Sequence, residues 1–118
     1  MEVKGKTIKE LMENFLKEIN KKVKTEGNSE KISTKFEVKG KYVEECIQKF
    51  AEKILNYFSR KNAVFENFEL EISVDKKWCF SFSLEGKIFE KIESKISEIK
   101  IEKLEESVEG WKLNFSVN

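Results

Sequence analysis

A chain of 118 residues with 23 Lys and Arg against 22 Asp and Glu carries a formal charge of +1, so no net field steers it toward phosphate or an anionic membrane, and a general nucleic-acid binder is disfavoured. It contains no His, which removes the commonest general base and metal ligand together with every Ser-His or Cys-His dyad. The length is that of one domain spanning residues 1–118, able to bury roughly two thirds of its unfolded surface, and Ile, Val, Leu and ten Phe spread along the chain supply the core.

The chain opens on Glu2-Val3-Lys4-Gly5-Lys6, which returns as Glu37-Val38-Lys39-Gly40-Lys41. The register then runs on without a gap, Glu10 matching Glu45, Phe15 matching Phe50 and Ile19 matching Ile54. Two copies of a strand, a Gly turn and an amphipathic helix follow. Thr7 with Glu10 three residues on is a capping-box pattern, and Ile8, Leu11, Met12, Phe15, Leu16, Ile19 and Val23 form one stripe, which predicts a helix from about Thr7 to Val23.

Thr25 to Ser29 reads as a loop, and Ile32, Thr34, Phe36 and Val38 alternate with polar residues as in a half-buried strand. A second helix is predicted over about Lys41 to Phe58, with Val43, Cys46, Ile47, Phe50, Ala51, Ile54, Leu55 and Phe58 inward. Period-two alternation resumes in Phe68, Leu70, Ile72 and Val74 and again in Trp78, Phe80, Phe82 and Leu84; Asp75-Lys76-Lys77 between them predicts a hairpin. After Gly86 comes an irregular connection holding Ile88, Phe89, Ile92 and Ile96. A strand through Ile99 and Ile101, with Leu104 as a candidate continuation, and a last one through Trp111, Leu113, Phe115 and Val117 are joined by a turn at Ser107 to Gly110. The expected fold class is α+β: a duplicated strand-helix unit followed by antiparallel strands, with two helices packed on one face of a mixed sheet.

No secretory apolar region opens the chain and no apolar run approaches the roughly 18 residues a span requires, so we expect a cytoplasmic protein with no membrane partner. Cys46 and Cys79 are expected as free, partly buried thiols. The single Arg, Arg60, leaves the chain short of the side chain that supplies most bidentate phosphate and base contacts.

Gly5-Lys6-Thr7 with Glu10 and Phe15, the second strand-Gly-helix unit, the segment Asn62 to Ile72, Leu84-Glu85-Gly86, Glu98-Ile99-Lys100-Ile101 and the closing Gly110 to Val117 together resemble the archease family, small proteins that assist the RNA-splicing ligase joining tRNA halves. The resemblance spans nearly the whole chain and implies an archease-like fold. It departs from the family at the functional residues. The His-Thr-Ala-Asp segment expected before the first Gly turn is absent, Glu102-Lys103-Leu104 stands where Thr-Tyr-His is expected, and the family's C-terminal Asp falls at Asn118. Family members bind a divalent metal through those carboxylates. Here we expect no cofactor, with Asn118 the one remaining candidate metal ligand, because a divalent cation needs several oxygens, preferably charged.

Other candidates have plainer readings beside them. Glu66, Glu69 and Glu71 could replace lost ligands, but Glu69 and Glu71 alternate with Leu70 and Ile72 and so fall on a solvated strand face. Trp78, Phe80 and Phe82 could stack bases, yet their flanks are neutral, and a core role is the reading we adopt. Lys6 and Lys41 could meet an anion at a helix N-terminus, but no long Gly-rich loop accompanies them. Ile88, Phe89 and Ile92 are the candidate partner-binding residues. The expected function is that of a non-enzymatic accessory protein that binds and modulates an RNA-splicing (tRNA) ligase, without direct nucleic-acid binding. The alternative is a divergent interaction or structural module on the same fold, with room for a homodimer.

Overall fold

The computed structural model describes all of residues 1–118. The order of elements is β1 (Glu2–Gly5), α1 (Ile8–Asn20), β2 (Val23–Gly40), α2 (Val43–Lys61), β3 (Ala63–Val74), β4 (Trp78–Ser94), β5 (Ile99–Ser107) and β6 (Gly110–Val117). The α+β class and both helices agree with expectation. The strands, however, divide into two three-stranded sheets, ordered β1-β6-β5 and β2-β4-β3, and every pairing is antiparallel. The single mixed sheet is thereby corrected. Each copy of the repeated strand is captured by a different hairpin, β1 by β5–β6 and β2 by β3–β4, so no two strands run parallel side by side.

The duplication therefore extends beyond the strand-helix unit. In both sheets the repeat strand lies at one edge, the second strand of a hairpin at the centre and the first strand at the other edge. Gly5 lies opposite Trp111 and Val3 opposite Leu113; Gly40 lies opposite Trp78 and Val38 opposite Phe80. Trp78-Cys79-Phe80-Ser81-Phe82-Ser83 is thus matched by Trp111-Lys112-Leu113-Asn114-Phe115-Ser116. One strand-helix-hairpin unit is nested inside another.

The two helix starts are built alike. The Lys6 N–H donates to the Glu10 carboxylate at 3.3 Å and the Lys41 N–H to the Glu45 carboxylate at 3.2 Å, satisfying a backbone donor and placing negative charge at the positive end of each helix dipole. Thr7 caps α1, accepting from the Glu10 N–H at 3.1 Å, whereas Tyr42 gives α2 no side-chain cap. Asn62 closes α2 in the left-handed region, φ 51°, a conformation an Asn tolerates better than most side chains.

Several boundaries differ from expectation: α2 runs Val43–Lys61 rather than about Lys41 to Phe58, and three further differences bear on the site. α1 ends at Asn20 rather than Val23, because Val23 is taken into β2 opposite Ser94. The segment Thr25 to Ser29 is strand, with a bulge between Glu26 and Ser29 where Gly27 takes φ +85°. The irregular stretch after Gly86 is likewise strand, since β4 runs on to Ser94 against β2. Its apolar residues are few because past Ile88 β4 has lost its β3 neighbour, so residues 23–29 and 89–94 form a two-stranded ribbon with little core to cover.

Both helices and both sheets share one apolar cluster of 23 buried residues. α1 packs on β1 and β6 and reaches β3 of the other sheet; α2 packs on β2 and β4 and reaches β5. Phe50 stands at the centre, its ring 4.5 Å from Phe82 and 6.1 Å from Phe68. Each Phe fully withdrawn from water contributes about 1.5–3 kcal/mol, and buried polar or charged residues are absent, so the core is held by apolar burial and ring packing. No helix is long and apolar enough to cross a membrane.

Candidate functional site

The expected partner residues separate in the structure. Ile88 packs against the core, whereas Phe89 and Ile92, also half-buried, stand apart from it. They sit on the two-stranded part of β4, Phe89 opposite Ser29 and Ile92 opposite Thr25, and alternation sends them to opposite faces of the ribbon. Ile96 packs against the core from the connection between β4 and β5.

Asn118 lies at the end of β6 with its backbone engaged. Its N–H donates to the Glu98 carbonyl at 2.9 Å, and its main-chain oxygen accepts from the Ser97 N–H at 2.6 Å, the Glu98 N–H at 3.0 Å and the Ser97 hydroxyl at 2.9 Å. Beside it opens a cavity of about 640 Å³. Lys21, Lys22, Lys24 and Lys95 line this cavity with Glu93 as the one carboxylate side chain. They come from the end of α1, the start of β2 and the end of β4, three segments that the β2–β4 pairing and the close of β6 bring together. Ile96 and Val117, both packed on the core, and Met1 form the apolar part of the lining.

Lys21 is paired with Glu18 at 2.8 Å, and Glu93 with Lys91 at 3.6 Å. Lys22, Lys24 and Lys95 make no ion pair with any carboxylate of the chain. The residues around Asn118 do not fit the divalent cation that the family resemblance implies. Three unpaired ammonium groups repel a cation, and the main-chain oxygen of Asn118 already accepts three hydrogen bonds. One neutral amide with a single carboxylate side chain, Glu93, itself paired with Lys91, is a poor ligand set. Nowhere do three His, Cys, Asp or Glu side chains come together as a metal-holding group.

The remaining candidates take their plainer readings. Glu69 pairs with Lys9 at 3.1 Å and Glu66 with Lys87 at 4.0 Å, while Glu71 is exposed on the outer sheet face. Phe80 and Phe82 are buried and Trp78 packs against them from the same strand face, so no base can reach the three together. At the start of each helix the backbone donor beside Lys6 or Lys41 is already taken by a carboxylate, which disfavours an anion there.

Cys46 is fully buried on α2 and Cys79 half-buried on β4, both as free thiols. Burial pushes the Cys46 thiol above its ordinary value, offset in part by the Lys49 ammonium, and its sulfur donates weakly to the Trp78 carbonyl at 3.7 Å. A thiol so held is a poor nucleophile.

Sequence reasoning did not single out the lysine-lined cavity. Lys21, Lys22 and Lys24 within four positions are a visible signal, but their convergence with Lys95 depends on a strand pairing that the reading of residues 25–29 as loop had removed. No family model and no curated protein matches the chain.

Proposed function

We propose that the chain is an archease-like accessory protein that binds an RNA-splicing ligase and adjusts its catalytic cycle, without covalent chemistry of its own. The observation that supports a binding role is that Phe89 and Ile92 are half-buried apolar side chains on the two-stranded part of β4 that do not pack against the core. Apolar surface of that kind is costly in water and gains from a partner. The ligase itself is suggested by the sequence resemblance. The test is to recover partners of the tagged protein from lysate of its native host and to measure ligase turnover with and without the purified chain. Enrichment of an RNA ligase together with altered turnover supports the reading; no ligase and unchanged turnover overturn it.

A second reading, an interaction module that pairs with its own copy, is favoured by one feature. β2 is an edge strand of 18 residues, and an unpaired edge is a template for another strand. Light scattering decides between them, since a dimer that Phe36-side edge substitutions such as Lys35→Pro dissociate would support pairing through β2.

A further inference from the structure

We infer that the lysine-ringed cavity between the end of α1, the end of β4 and the end of β6 is the docking surface for an acidic, aliphatic-bearing peptide segment of a protein partner. The inference rests on the reading of the chain as a partner-binding protein and names the surface and the chemistry it recognises.

The charge argument is local. The chain as a whole is close to neutral, at +1, yet here four ammonium groups meet one carboxylate side chain, and Lys22, Lys24 and Lys95 have no carboxylate of their own. Unpaired lysines such as Lys76 and Lys77 occur elsewhere on the surface; what sets this place apart is that four lysines from three segments converge on one concavity. Like charges held around one concavity repel, and an anionic occupant relieves that repulsion while it gains attraction from each ammonium.

The lining also distinguishes among anions. No aromatic ring faces the cavity, and the single Arg of the chain, Arg60, lies in the last turn of α2 and not in the lining. Single-stranded RNA is held by stacking on aromatic rings and by Arg, and neither is offered. The apolar part is aliphatic, from Ile96 and Val117, and receives an aliphatic side chain as a small apolar pocket does. A volume of about 640 Å³ takes a few side chains of a short segment. Carboxylates on the rim and a Leu or Ile against the floor satisfy both halves of the site.

The test uses a fluorescein-labelled synthetic peptide of alternating Glu and Leu, with backbone amide shifts to locate it and anisotropy to measure affinity. Two charge-reversed proteins accompany the unaltered chain. One carries Lys22→Glu, Lys24→Glu and Lys95→Glu; the other carries Lys76→Glu and Lys77→Glu in the β3–β4 turn, at the opposite end of β4. None of these ammonium groups makes an ion pair, but Lys24 lies opposite Glu93 across the β2–β4 pairing, so the cavity variant is expected to melt somewhat lower. Both variants are used well below their midpoints, where amide spectra show them folded.

The expected result is amide shifts confined to residues 21–24, 93–97 and 116–118, an affinity that falls about tenfold in the cavity variant but little in the turn variant, and weakening with salt. Shifts elsewhere only, an equal loss in both variants, or a uridine oligonucleotide that occupies the cavity at lower concentration than the peptide would each overturn the inference. Ligase capture separates this from the proposed function. If the unaltered chain and the cavity variant capture ligase equally, the surface is wrong and the function stands. If the peptide binds as expected while no ligase is captured, the surface stands and the function fails.

Discussion

Gln48 on α2 accepts the backbone N–H of Ile101 at 2.8 Å, and the same side-chain amide donates to the Ile99 carbonyl at 2.7 Å. One side chain thereby occupies the free edge of β5 as a neighbouring strand would. The other helix does something similar in single form, Asn20 on α1 donating to the Phe65 carbonyl of β3 at 2.8 Å. Each helix is thus tied to the first hairpin strand of the sheet its own repeat did not build.

Gln48→Ala leaves a donor and an acceptor of β5 without partners in a half-buried place, and the expected cost is about 2–3 kcal/mol. Gln48→Glu retains an acceptor for Ile101 but sets a second carboxylate oxygen against the Ile99 carbonyl, so at neutral pH it is expected to cost at least as much. Urea unfolding measures both, as a lowered midpoint at unchanged slope. A Gln48→Ala midpoint equal to that of the unaltered protein would show that the bridge contributes nothing.

Phe50→Ala removes the ring that meets Phe15, Phe36, Phe68 and Phe82. With four ring neighbours from α1, β2, β3 and β4, the cavity cannot close by the shift of one element, and about 3–5 kcal/mol is expected. Phe50→Leu keeps most of the volume and is expected to cost well under half of that. Thermal unfolding of the two variants side by side gives the comparison, and equal losses would mean that shape at this position does not matter.

Gly86 lies where β4 passes the bulge of β3 between Phe65 and Asn67, and a Cβ there would stand 2.1 Å from the Val64 carbonyl oxygen. That atom is backbone of a paired strand and cannot turn aside. Gly40 is less tightly approached, since its Cβ would meet the Glu45 Cβ at 2.7 Å and the Tyr42 carbonyl oxygen at 3.1 Å; a Cβ is fixed by its backbone, so relief there requires a small shift of the exposed start of α2. Gly86→Ala is expected to destabilise by about 2–4 kcal/mol and Gly40→Ala by less. Chemical denaturation of both decides it, and the reverse order would locate the tighter approach at the helix start.

How far the fold could be read beforehand follows from these same residues. The helices were legible because Phe15 and Phe50 sit in unbroken apolar stripes with the acids Glu10 and Glu45 at their starts. The β3–β4 hairpin was legible because Asp75-Lys76-Lys77 interrupts two clean alternations. The ribbon was not, since Gly27 and Asn28 mimic a loop when they form a bulge, and Phe89 and Ile92 lack the alternation that burial on one face imposes. The division into two sheets was hidden in the match between Trp78-Cys79-Phe80 and Trp111-Lys112-Leu113, which fixes the partner of each repeat strand only when read together with Gly5 and Gly40. The lysine cavity was hidden for the same reason: local sequence shows charge, whereas convergence depends on pairing between distant strands.

Glu105 is held below the ordinary Glu range by hydrogen bonds and charge from Lys103 and Lys112, and Lys112 is correspondingly raised by Glu105, with Glu2 adding to it. A depressed carboxylate stabilises the fold above its unfolded pKa, and that contribution is lost as pH falls through the folded pKa. A raised ammonium stabilises below its unfolded pKa, and its contribution is lost as pH rises through the folded pKa. The group is at the surface, so salt is expected to weaken both effects. Carboxyl ¹³C shifts are the readout: the Glu105 midpoint should lie below that of an unpaired Glu and rise toward it in Lys103→Gln or in high salt. A midpoint indifferent to both would mean that the ion pairs seen at 2.7 Å and 3.4 Å do not persist in solution.

The two thiols should differ sharply in reactivity. Alkylation proceeds through the thiolate, and Cys46 is disfavoured twice, since its side chain is withdrawn from solvent and burial raises its pKa. A reagent reaches it only when α2 lifts from β2 and β4, so its labelling rate should fall below that of an unfolded thiol by the factor by which the open form is outnumbered. Cys79 lies half-exposed near the Ser81 hydroxyl and needs no such opening. Iodoacetamide followed by peptide mass mapping should therefore label Cys79 first, with Cys46 catching up only as denaturant approaches the unfolding midpoint. Phe50→Ala, which weakens the same helix contact, should accelerate Cys46 labelling and leave Cys79 nearly unchanged. Equal rates for the two thiols in the native protein would show that α2 opens freely, and that the ring cluster around Phe50 does not hold it down.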